Sequence, residues 1–238
     1  MNAFGERRFV DFRIGAGRSV RDVAAELTSG GAFVSINHPL RADDESCMGC
    51  GWNDRDEGTI GAVQAVEIVN GDIGEGPIAG WPFWAGMLNR GHRLTAIGGS
   101  DEHSPDEGMD GRLGRPTTVV YASALSEDAI LSGLRAGRVY IRTRGVAGPR
   151  LEFTASAART YQMGDTAPPG TLILQAAVSG AAGQRLEWIR NGAVMTAATL
   201  GEGDPLSYRV EAVRGDWFSV VIRDPAGPTL FSNAIYVR

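Results

Sequence analysis

Along the first two-thirds of the chain the hydrophobic positions switch between a helical and an extended period. Residues 18–27 carry Val20, Val23, Ala24 and Leu27, with spacings of 3, 1 and 3, before Gly30 and Gly31. One apolar face followed by a stop predicts an amphipathic helix. Residues 32–37 form a short run rich in β-branched and aromatic side chains that ends at His38 and Pro39, a buried strand by pattern. A polar, glycine-rich stretch of roughly 20 residues follows, long enough to suspect a functional or lid-like loop. Residues 62–69 read as a second strand ending at Asn70 and Gly71.

Residues 81–90 place Trp81, Trp84, Ala85 and Leu88 on one face, with Pro82 in the first turn and Gly91 after the end. They predict a second helix. A strand at 94–97 runs into Gly98, Gly99, Ser100, Asp101, Glu102 and His103. Another strand at 117–121 precedes a helix at 126–135, where Ser126 caps, Glu127 and Asp128 fill the first turn and Gly137 stops. A strand at 139–142 closes the series. Strand alternating with helix is the grammar of a parallel sheet or barrel.

Past Pro149 the pattern changes. Residues 151–154, 172–178, 185–190, 193–196, 208–213, 217–223 and 234–237 are short β-rich runs, and Asn191-Gly192 between two of them is a hairpin signal. They predict a small all-β sandwich. The expected domains are therefore 1–148, α/β, and 149–238, β-sandwich-like.

Composition narrows the chemistry. The 238 residues are 43% apolar and 21% charged, as in ordinary globular chains. Net charge is −5 with no basic block, which argues against nucleic acid as a partner. No run reaches the roughly 20 apolar residues that cross a bilayer, and the N-terminal residues carry no apolar signal core. Cytoplasmic as written is the reading, with export open if a longer N-terminus exists. All 23 basic residues are arginine, so Schiff-base, P-loop lysine and Ser-Lys chemistry are excluded. The two cysteines stand as Cys47-Met48-Gly49-Cys50, which as a pattern fits a redox pair, half a zinc site or two thiols.

The three histidines are His38, His92 and His103. His38 ends one strand, and Asp101 and His103 follow another; in parallel α/β folds catalytic groups gather at such ends. An Asp and a His two residues apart in extended chain point the same way, and the pair suits zinc, manganese or iron. Among the arginines, Arg41, Arg112 and Arg115 flank these groups and suit an anionic substrate. Trp52, in the long loop, is a candidate pocket wall.

The strings VSINHP, AVEIVNG, WAGMLNRGHRLTAIGGSDEH and GRPTTVVYASALSEDAILSGLRAGRVYI occur in order up to residue 141. They resemble the later part of the PHP (polymerase and histidinol phosphatase) superfamily, in its CehA/McbA branch of metal-dependent hydrolases, and the tail resembles that branch's C-terminal region. The resemblance implies a distorted parallel β/α barrel with a di- or trinuclear site at its strand ends. It implies that His38, Asp101 and His103 are metal ligands, that Glu67 and Asn70 form an E-x-x-N strand end beside them, and that His92 is a bystander.

The family's opening HxH pair and the ligands after it have no counterpart here. The expectation is thus a partial barrel with its first half missing, holding at most one ion weakly. Met1 to Gly5 look like a segment that follows the family's last N-terminal histidine, so the chain reads as starting in mid-domain. The expected activity is hydrolysis of a small phosphoester, carbamate or ester by metal-activated water. The rival expectation is a non-catalytic assembly module presenting its β-sandwich to a partner or glycan. Open barrel edges would favour a homo-oligomer.

Overall fold

A computed structural model describes all residues except 16, 46–47, 55, 104–112 and 204. The elements run β1 (Asn2–Phe4), α1 (Val20–Ser29), β2 (Phe33–Ile36), α2 (Glu57–Ala62), β3 (Ala65–Asn70), α3 (Trp81–Asn89), β4 (Thr95–Gly99), β5 (Thr117–Val120), α4 (Glu127–Arg135) and β6 (Val139–Arg142). The strands β7 (Arg150–Ser156), β8 (Thr160–Gln162), β9 (Thr166–Ala167), β10 (Gly170–Ser179), β11 (Arg185–Arg190), β12 (Ala193–Thr199), β13 (Leu206–Ala212), β14 (Trp217–Asp224), β15 (Gly227–Ser232) and β16 (Ile235–Val237) follow. No described helix is long and apolar enough to cross a membrane.

Local signals set the helix starts. Ser19 Oγ accepts the Asp22 N–H at 3.2 Å while Asp22 Oδ2 accepts the Ser19 N–H at 2.8 Å, a reciprocal capping box that opens α1. Ser126 Oγ likewise accepts from Ala129 N and opens α4. Helix α1 buries Val23, Ala24 and Leu27, the apolar stripe of the sequence.

The expected architecture does not form. The sheet that carries the first half has the order β1-β2-β3-β4, with β2, β3 and β4 parallel and β1 antiparallel to β2. Three parallel strands make no barrel. Strands β5 and β6 pair antiparallel with each other, and β6 pairs antiparallel with β15. They extend an eight-stranded sheet of order β12-β11-β14-β15-β6-β5, with β16 beside β14 and β9 parallel to β16. A four-stranded antiparallel sheet, β13-β10-β7-β8, accompanies it. The fold is therefore a mixed, strand-rich assembly with four helices among the described residues, in place of a partial barrel followed by a small sandwich.

The reason lies at the outer edge of β4. Asn233 Oδ1 accepts the Ala96 N–H at 2.7 Å, and Asn233 Nδ2 donates to Ala96 O at 2.9 Å. Two residues on, Thr118 Oγ1 accepts the Gly98 N–H and donates to Gly98 O, each at 2.9 Å. Side chains thus satisfy the edge groups that a fourth parallel strand would have used, and the sheet ends there.

The core joins both halves of the chain. Trp84 is fully buried, its ring 5.3 Å from that of Trp217, and its Nε1–H donates to Leu94 O at 2.7 Å. Trp217 Nε1–H donates to Asn89 Oδ1 at 2.7 Å, which clamps α3 onto β14. Trp81 packs on the same cluster. A second cluster, with Phe153, Leu172, Leu174, Trp188 and Phe218, fills the space among the strands of the tail.

Candidate functional site

The C-terminal ends of β2, β3 and β4 lie side by side, and each delivers polar groups to one place. His38 follows β2, Glu67 and Asn70 stand on β3, and Asp101 follows β4. The backbone N–H of His38 donates to Glu67 Oε2 at 2.9 Å, and Asn70 Nδ2 donates to the same oxygen at 3.3 Å. Arg41 Nη1 lies 3.4 Å from Asn70 Oδ1 and 3.5 Å from Asp101 Oδ2. His103 Nε2 lies 3.8 Å from Asp101 Oδ1. One network therefore contains six of the nine residues singled out from the sequence.

Glycine makes the arrangement possible. A Cβ on Gly99 would sit 2.4 Å from Glu67 Oε1, so only glycine there lets the carboxylate lie over the end of β4. Beyond β3 the chain turns sharply: Ile73 N–H donates to Asn70 O at 2.8 Å, which keeps Asn70 at the rim.

Two backbone conformations mark the same place. His38 (φ 28°) and Asp101 (φ 52°) are two of the three described non-glycine residues with positive φ; the third, Asn191, belongs to the Asn191-Gly192 hairpin. A hairpin turn of that kind asks for positive φ. No hairpin accounts for His38 or Asp101, and such conformations persist where the surroundings over-determine them, as at functional sites.

Electrostatics singles out Glu67, which is 5% exposed. Burial pushes its carboxyl up to about 7, against the lowering pull of the His38 N–H and the Asn70 amide, with the Asp101 charge adding to the rise. His38 is held by its ring: Nδ1 is 3.0 Å from the carbonyl oxygen of Cys50. A carbonyl only accepts, so Nδ1 carries the hydrogen, and it is Nε2 that holds the lone pair in the neutral ring. Histidines that bind metals are commonly oriented in this way.

The donors therefore suit a divalent ion in kind and in tautomer. Their placement is looser: among the described residues no three His, Cys, Asp or Glu side chains form a group that could hold one. His103 is mostly exposed, and Asp101 is shared with Arg41.

The remaining candidates fall elsewhere. Trp52 is half-buried and packs on the first core cluster. Arg115 is exposed and lies beside Gly145. Arg112 and Cys47 lie outside the described residues. Cys50 is disulfide-bonded, so it offers no thiolate to zinc in this state. His92 Nε2 pairs with Glu57 Oε2 at 2.6 Å, and Arg90 joins the same carboxylate at 3.2 Å. Sequence reading missed the Cys50 carbonyl and the Gly99 clearance, since neither carries a side-chain signal.

No family model matches this chain. No curated protein matches it in sequence either. Among solved structures, the crystal structure of an engineered protein aligns with 92% of this chain at 12% identity and a TM-score of 0.27. The alignment covers 44% of that protein, so this chain spans less than half of its length.

Proposed function

We propose that this chain is a metal-dependent hydrolase of the kind its PHP-like strings imply, acting on a small phosphoester, carbamate or ester. One observation carries the reading: His38 and Asp101, assigned as ligands from the sequence, follow β2 and β4, the two parallel strands that flank β3, and both hold positive φ that no hairpin explains. A bound zinc, manganese or iron ion would supply Lewis acidity and lower the pKa of water near neutral pH.

The chain's own residues divide the remaining work. His38 presents Nε2, while Asp101 and His103 present a carboxylate and an imidazole close together. Glu67 fixes the backbone of His38 and the amide of Asn70 at one oxygen. Arg41 neutralises Asp101 and stands where an anionic substrate group would meet a guanidinium. With two close donors and a third held apart, the affinity expected is modest and the stoichiometry one ion.

The test is calorimetric titration with zinc and manganese, paired with hydrolysis of p-nitrophenyl phosphate and p-nitrophenyl acetate. One ion bound by the wild type, lost in Asp101→Asn and His38→Gln together with any hydrolysis, supports the reading. Absence of binding, or hydrolysis indifferent to chelator, sinks it.

A second reading, a non-catalytic binding module, has its own observation. Phe9, Phe12 and Leu125 are 85%, 73% and 99% exposed, and an apolar groove lined by Phe4, Ile130, Leu131 and Leu134 lies beside Leu125. Exposed apolar side chains and an apolar groove of this kind are features that association surfaces carry. Sedimentation showing a dimer, dispersed by Phe9→Ser with Phe12→Ser, in a protein that binds no metal would favour it.

A further inference from the structure

A cavity of about 220 Å³ lies away from the β2–β4 strand ends, where the edges of the other two sheets meet. Strand β5 is the outer strand of the eight-stranded sheet and β8 that of the four-stranded sheet. Because β8 pairs with β7 only along Thr154–Ser156, the start of β7 has no strand beside it on that side, and the cavity occupies the gap. Its floor is apolar, made by the buried Phe153 and Met163. Its rim is polar and aromatic. Tyr121 is 39% exposed; its hydroxyl donates to Leu151 O, and its ring centroid lies 5.9 Å from that of Tyr140, whose hydroxyl accepts from Arg142 Nη2 at 3.1 Å. The ring is thus fixed before any ligand arrives. The Tyr121 N–H also donates to Arg138 O at 2.9 Å, which sets Arg138 beside it, and the exposed Glu152 and Gln162 complete the rim.

The rim defines the ligand. Glu152 forms no ion pair among the described residues, while Arg138 lies 3.7 Å from Asp165. Two carboxylates against one guanidinium leave no surplus for an anion, and the guanidinium opposes a cation. An ionised carboxylate only accepts, a guanidinium only donates and an amide does both, so an uncharged ligand that meets all three carries hydroxyls. The buried floor and the Tyr121 ring ask for an apolar face on the same molecule. A sugar ring has both, with hydroxyls around its edge and C–H bonds on its faces. We propose that this cavity binds a neutral pyranose sugar, its C–H face against Tyr121 and its hydroxyls on Glu152, Arg138 and Gln162. The volume is below the roughly 300 Å³ at which pockets for larger ligands begin, so the cavity takes one ring. It involves neither His38 nor Asp101 and needs no metal, so it stands or falls apart from the hydrolase reading.

The test is saturation-transfer difference NMR with calorimetric titration of the chelator-treated protein. The probes are the methyl pyranosides of glucose, galactose and mannose, with glucuronate and glucosamine as charged comparisons. Expected is binding of at least one methyl pyranoside, with transfer strongest to the C–H protons of one ring face, and weaker binding of both charged sugars. Glu152→Ala is expected to weaken that binding at least about 10-fold and Gln162→Ala several-fold, as lost hydrogen bonds to a charged and a neutral group do. Both substitutions fall at exposed positions, and circular dichroism checks that each variant is folded. Binding of none of the methyl pyranosides overturns the proposal. Binding that Glu152→Ala leaves unchanged also overturns it, since the sugar then sits elsewhere, and so does a preference for glucuronate or glucosamine, since the charge argument then fails.

Discussion

Glu67 Oε2 accepts the backbone N–H of His38 at 2.9 Å, so a carboxylate on β3 fixes the residue that ends β2. The same carboxyl is buried and shifted up to about 7. In the unfolded chain it titrates near 4.5. Between these values the folded protein binds the proton more tightly than the unfolded one, so stability falls as pH rises through that window and stays lowered above it. Glu67→Gln keeps an acceptor and removes the charge. Urea unfolding of the metal-free proteins is expected to show the variant level with wild type near pH 4 and more stable by on the order of 2 kcal/mol at pH 8. An equal difference at both pH values would refute the shift.

Arg41 holds Asp101 through a 3.5 Å contact and Asn70 through a 3.4 Å contact. Both ends are partly solvated, so Arg41→Gln should change stability by less than about 1 kcal/mol. Its effect belongs to ligands. With the competing cation gone, affinity for a divalent ion is expected to rise several-fold, while KM for a phosphoester rises and KM for an uncharged ester stays put. Equal shifts in both KM values would remove Arg41 from anion recognition.

Asn233, 2% exposed, spans β4 and β6: beside its two bonds to Ala96 it donates to Val139 O at 2.9 Å. Asn233→Ala leaves the N–H and the carbonyl of Ala96 without these partners in a dry core, at about 1–3 kcal/mol each where no water enters, while Val139 O keeps the backbone N–H of residue 233 at 3.1 Å. A loss of at least about 2 kcal/mol in chemical denaturation is expected. Thr118→Val strips two bonds from Gly98 in a less buried place and should cost less.

Asp216 is 4% exposed at its side chain and accepts from Arg190 Nη2 at 2.5 Å, Asn191 Nδ2 at 2.9 Å and Val213 N at 2.8 Å. Burial alone would raise its carboxyl, but these donors outweigh it and hold the group below its usual 3.8. The stabilisation is therefore full above about pH 4 and is lost as pH falls through the lowered value. Asp216→Asn should cost about 1–3 kcal/mol at pH 7. That cost should shrink toward pH 3 in thermal unfolding followed by circular dichroism.

Much of the element order was legible because its signals are local. Gly30 and the spacing of Val23, Ala24 and Leu27 announced α1, and Asn191-Gly192 announced the turn between β11 and β12. Helix α2 was missed, since six residues reading Glu-Gly-Thr-Ile-Gly-Ala show almost no helical period and start on the cap of Asp56. Strand β15 was missed because Pro228 near its start reads as a breaker. The candidate site was legible as residue types at strand ends: His38, Glu67, Asn70 and Asp101 do meet. Trp52 and Arg115 do not join them, because proximity in sequence to a strand end says nothing of where a loop folds back.

By itself the sequence determined most of the helices and longer strands and which polar groups stand at the strand ends, since caps, turns and periodicity act over a few residues. Only the tertiary structure decided how the strands pair. Alternating strand and helix suggested a continuing parallel barrel, yet the edge of β4 is closed by side chains from residues 118 and 233, and β6 turns to a partner near residue 230. Those contacts join positions about 20 to 137 residues apart, and hydrogen-bonding groups find such partners only once the core has brought them together. The same holds for Glu67: its place in the chain is a matter of sequence, while the dry surroundings that hold its proton exist only in the fold.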